Sequence, residues 1–74
     1  MEPDRRKQLT RDLQQVERHV AEGRSHIAKQ VAIIAALERD GHDSATAKKV
    51  LAILQKTQQM HEEHREMILG WLQQ

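Results

Sequence analysis

From Leu9 onward the seam positions of this chain recur in alternating steps of four and three: Leu9, Leu13, Val16, Val20, Gly23, Ile27, Gln30, Ile34 and Leu37, with only Gly23 and Gln30 interrupting an otherwise apolar run. That spacing is a heptad seam along one side of an α-helix. Pro3 suits a first helical turn and Asp4 favours a helix N-terminus, so the predicted helix begins at about residue 4 and runs to about residue 40. At 1.5 Å per residue it is roughly 54 Å long.

Asp40-Gly41-His42-Asp43-Ser44 is the one strong break in the middle of the chain. Gly41 is the natural left-handed residue after a helix, and Asp43 or Ser44 can accept hydrogen bonds from the free N–H groups that open the next. A turn over about residues 41 to 43 then leads into a second helix over about residues 44 to 72. Its predicted centre line is Val50, Leu54, Thr57, His61, His64, Ile68 and Trp71, flanked by Ala47, Ile53, Met60, Met67 and Leu72. So broad a stripe suits a helix that touches more than one neighbour. The expected fold class is all-α: an antiparallel two-helix hairpin of coiled-coil character, one domain over the whole chain. A turn centred on residues 41 and 42 would set His19 and Gly23 across from His64 and Met60.

Near that turn the pattern changes. Val31-Ala32-Ile33-Ile34-Ala35-Ala36-Leu37 and Val50-Leu51-Ala52-Ile53-Leu54 are apolar nearly all round the helix, which is normal only for a helix buried on every side. Two helices cannot bury each other completely. Val31, Ile33, Ile34, Leu37, Val50, Leu51, Ile53 and Leu54 therefore form the expected oligomer interface, and a homodimer closing into a four-helix bundle is the simplest solution. A helical partner protein would cover the same surface.

Composition narrows the function classes. A chain of 74 residues without cysteine has no disulfide or thiolate metal site to support its small core, so a partner chain is the expected stabiliser. Twelve Lys and Arg against eleven Asp and Glu, mixed along the length, give +1 and no basic footprint for nucleic acid. Arg5-Arg6-Lys7 and Arg11 are interspersed with Asp4 and Asp12 and read as a solvated first turn. Trp71 is the single aromatic side chain apart from histidine, so no base-stacking platform exists. No apolar run approaches the roughly 20 residues of a membrane span, and Met1-Glu2-Pro3-Asp4 does not open a signal peptide, so a cytoplasmic protein without a membrane partner is expected. The apolar segment Met67-Ile68-Leu69-Gly70-Trp71-Leu72 is expected to pack against Leu9 and Leu13.

Five histidines are the remaining chemistry-bearing residues. His61 and His64 share a helical face and, with His19 across the hairpin, make a conceivable three-ligand site for a divalent ion. Neither Glu-x-x-His nor His-Glu-x-x-His occurs, so a polar layer within the bundle is the favoured reading and no metal or other cofactor is expected. His19 and His26 lie one heptad apart in register with Ile33, as interface-edge residues; His42 is a turn residue. No cysteine nucleophile is present, Ser25 and Ser44 fall on an exposed helix face and at a cap, three glycines make no phosphate-binding loop and a hairpin of this size offers no concave pocket, so no enzyme is expected.

Glu17-Arg18-His19-Val20-Ala21-Glu22-Gly23, Asp40-Gly41-His42-Asp43, and Thr57-Gln58 with His61 and His64-Arg65 resemble a group of short uncharacterised bacterial helical-hairpin proteins, over about Leu13 to Leu72. The resemblance implies a small helical bacterial protein and assigns no residue a role. The expected function is a non-enzymatic helical module acting by self-association or protein interaction. The alternative is a histidine-based metal-binding or pH-sensing small protein.

Overall fold

The computed structural model describes residues 2–74. Two helices account for nearly all of them: α1, Pro3–Arg39, and α2, Ala45–Leu72, with no strand among the described residues. The helices run antiparallel and contact each other along their length, giving a rod of 58 × 14 × 14 Å. Pro3 occupies the first turn of α1, as the missing N–H of proline allows.

The reversal is built from backbone hydrogen bonds. Gly41 adopts φ 76°, the left-handed conformation that closes a helix, and around it Gly41 N donates to Glu38 O (3.2 Å) and His42 N to Leu37 O (2.8 Å). That pair of bonds is a Schellman motif, and it satisfies carbonyls that the end of α1 would leave free. Asp43 supplies the start of α2, its Oδ1 accepting from Ala45 N at 2.9 Å. Ser44 does not cap α2 with its side chain; its hydroxyl is buried and donates to Glu38 Oε2 at 3.4 Å. Glu38 also pairs with Lys48 Nζ at 3.0 Å, which ties the two helices together beside the turn.

All nine positions of the α1 seam, from Leu9 to Leu37, are buried or partly buried, so the predicted inward face of this helix is the observed one. The inward line of α2 differs from the expected centre line. Leu54, His61 and Ile68 do face inward, but between them stand Leu51, Gln58, Arg65 and Leu72, whereas Val50, Thr57, His64 and Trp71 are exposed. Both sets complete the same spacing of three and four. Apolarity favours the wrong one, since the true line contains a glutamine and an arginine while the exposed line ends in tryptophan.

The densest packing lies at the end away from the turn. Leu9, Val16 and Ile68 form a cluster with Leu13 and Leu72 against it, and Ile68 is only 1% exposed. The expected docking of the last turn of α2 on Leu9 and Leu13 is thus realised through Ile68 and Leu72, while Met67 and Trp71 remain outside. Arg6 Nη1 donates to Leu72 O at 3.3 Å, giving one free carbonyl of the α2 C-terminus a partner from α1.

Candidate functional site

Two glutamines organise the middle of the hairpin. Gln30 of α1 donates from Nε2 to Ala47 O on α2 at 2.9 Å, and Gln58 of α2 donates from Nε2 to Val20 O on α1 at 2.8 Å. Each therefore spans to a backbone carbonyl of the opposite helix and fixes the sliding position of one helix on the other, the role expected of a polar residue in a coiled-coil seam. Gln58 is 7% exposed and enters the seam directly over Gly23, where a Cβ would collide with its amide oxygen. Gly23 is present because the glutamine needs that space. Across from Gly23 stands Gln58 and not the expected Met60, which is 61% exposed. Gln58 Oε1 is buried with no hydrogen-bond partner.

This clasp moves the pairing of α2 along α1 by a few residues from the one implied by a turn centred on 41 and 42. His19 consequently meets His61, with ring centroids 5.0 Å apart and planes tilted by 36°. His64, one turn further on, is exposed and lies at the rim of the same cleft with Asp12, Gln15 and Val16. Among the described residues, no three histidine, aspartate or glutamate side chains converge in an arrangement that can hold a metal ion. His19 and His61 are thus a tilted ring pair in contact, with the His64 ring at the rim of the cleft they line. His26 is exposed on the same side, at a shallow cleft of about 190 Å³ that His19, Gly23, Thr57 and Gln58 also line. His42 is exposed in the turn and Ser25 is exposed on α1.

The two long sides of the rod differ in chemistry. On one side Glu17, Arg24 and Arg65 surround a charged cleft with Val20 and Ala21. On the other, α2 carries a second, outward seam, Val50, Ile53, Thr57, Met60, His64, Met67 and Trp71, again in steps of three and four. Every member is exposed, with Ile53 at 65% and Met67 at 52%. Ile33 of α1 is exposed on this side, in register with His19 and His26. Of the eight residues expected at an oligomer interface, Ile34, Leu37, Leu51 and Leu54 are buried or partly buried within the hairpin. Val31, Ile33, Val50 and Ile53 keep large exposed surfaces. The periodicity of the outward seam was open to view in the sequence, as the flanks and part of the centre line of α2. Deciding which of its residues point outward required the position of Gln58.

No helix among the described residues is long and apolar enough to cross a membrane. Fold and surface together define an antiparallel helical hairpin with one apolar, histidine-bearing side. Compared with protein-family models, with curated proteins and with solved structures, the chain matches none.

Proposed function

We propose that this chain is a helical association module that acts by binding through the apolar side of the hairpin, first to itself, and that it carries out no chemistry of its own. The observation behind this reading is the outward seam of α2, where Val50, Ile53, Met60, Met67 and Trp71 stand in water on a chain with few fully buried side chains. Exposed apolar residues scattered singly need no explanation, but a row at heptad spacing is the pattern by which helices recognise helices. A hairpin of 74 residues gains from such a partner because its own core is small. Dimerisation into a four-helix bundle in the cytoplasm of a bacterium is the form of association we favour, and a helical partner protein is the other occupant of the same surface.

The test is the dependence of thermal stability on concentration. Association stabilises the folded state by mass action, so the melting temperature should rise with each tenfold increase in protein concentration. A melting temperature constant over two decades would overturn the reading.

The contact between the His19 and His61 rings gives a second reading, a histidine-based response to metal or pH, its single supporting observation. Stoichiometric zinc, copper or nickel in protein purified without a histidine tag would promote it. Tag-free protein without bound metal, and unaffected by added zinc, would remove the metal form.

A further inference from the structure

The side chains that border the outward seam of α2 are ordered by charge. Along the exposed face next to the Ile53, Met60 and Met67 row of the seam stand Lys49, Lys56, Glu63 and Gly70, one heptad apart, all exposed. The first half of the helix is therefore basic at this border, with Lys48 beside it. The second half is acidic, with Glu62, Glu63 and Glu66 against the single Arg65. A parallel partner helix would set this border against the opposite border of the seam, Leu54, His61 and Ile68, which the hairpin already turns toward α1 and which offers no charge to pair with. An antiparallel copy sets each half against its opposite, which is how border charges select orientation between helices.

Resting on the self-association reading above, we propose that the outward seam of α2 docks on the same seam of a second copy, antiparallel, about a two-fold axis between Thr57 and Met60, with Lys56 of each chain facing Glu63 of the other. The interface is isologous: one patch serves both chains, as a two-fold dimer requires. In this register Thr57 of one chain packs beside Met60 of its mate, and Val50 beside Met67. Trp71 then lies against the first turn of the other α2. The apolar seam supplies the association and the paired charges supply the orientation, since exposed ion pairs contribute little affinity by themselves. Glu63 already accepts from Gln59 Nε2 on its own helix at 3.2 Å, and a carboxylate can accept from a lysine as well. The charged side of the hairpin, around Glu17, Arg24 and Arg65, stays in water.

Two measurements on the whole chain test this. Lys56→Glu and Glu63→Lys each place like charges across the axis twice, and each should weaken the dimer about tenfold at low salt, while the double swap should return to within about threefold of the original. Both positions are exposed, so the hairpin itself survives, and circular dichroism verifies this. Spin labels placed singly at Gln59 and at Gln73 then read the orientation. In an antiparallel pair the axial separation of a residue from its copy grows by about 3 Å per residue from the axis, so labels at Gln59 should lie within about 25 Å and labels at Gln73 beyond about 40 Å. A dimer in which both labels give the same short distance, or in which the double swap is as weak as the singles, overturns this orientation and leaves self-association intact. A chain that is monomeric throughout overturns both.

Discussion

Gln58 and Gly23 form an interlocking pair, and their energetics follow from that geometry. Alanine in place of an exposed helical glycine gains up to about 1 kcal/mol of helix stability. At Gly23 the new Cβ would meet the buried amide of Gln58, which must leave its bond to Val20 O to make room. Gly23→Ala should therefore fail to stabilise the native chain, yet stabilise a Gln58→Ala variant by about 1 kcal/mol, with the coupling read from a double-mutant cycle of urea melts. Additive effects would show that the two residues do not share the space. Gly70 is the internal comparison: nothing lies within 4 Å of a Cβ there, so Gly70→Ala should stabilise by up to about 1 kcal/mol in either background. The unpartnered Oε1 of Gln58 indicates that this residue serves register more than stability, because a buried acceptor without a donor carries a desolvation cost of about 1 to 3 kcal/mol.

At the scale of the elements, α1 was legible almost residue by residue because one seam accounts for all its buried positions, polar interruptions included, with Asp12, His19 and Ala36 partly buried at its edges. The turn was legible too. Gly41 takes the left-handed conformation and Asp43 receives the first N–H of α2, each a consequence of local chemistry that needs no tertiary information. Gly41→Ala should cost about 1 to 2 kcal/mol, through φ alone, since its Cβ would meet nothing. Rotation of α2 was not legible in the same way. Both Val50-Thr57-His64-Trp71 and Leu51-Gln58-Arg65-Leu72 complete a heptad with Leu54, His61 and Ile68, and hydrophobicity selects the first. The second wins because Gln58 reaches Val20 O through the gap at Gly23, a contact between residues far apart in sequence that no local pattern records. The same rotation leaves His64 exposed at the rim of the cleft that His19 and His61 line, and among the described residues no three ligating side chains converge there. The inward line is tested by Ile68→Ala, which should cost about 2 to 4 kcal/mol, against Met67→Ala next to it, which should leave the hairpin fold largely unchanged. Equal losses of helicity would mean that α2 is rotated from the position described.

For the whole molecule, the rod divides its apolar residues between two tasks. The cluster of Leu9, Val16 and Ile68 holds the hairpin at the end remote from the turn, and the outward seam of α2 stays exposed, free for the association proposed above. Substitutions on the two surfaces should therefore separate folding from association. Ile68→Asp places a carboxylate in the closed core, at a cost of several kcal/mol, and should unfold the chain at any concentration. Ile53→Asp changes a residue that the hairpin leaves 65% exposed, and should keep the helical circular dichroism while weakening the proposed dimer. The most direct test of the account is the molar mass of the unaltered chain, by light scattering across a size-exclusion peak at about 1 to 100 µM. Self-association through the outward seam predicts a mass of twice 8.6 kDa at the upper end of that range, falling toward the single-chain value for Ile53→Asp. A helical, cooperatively melting protein that stays at 8.6 kDa throughout would contradict it.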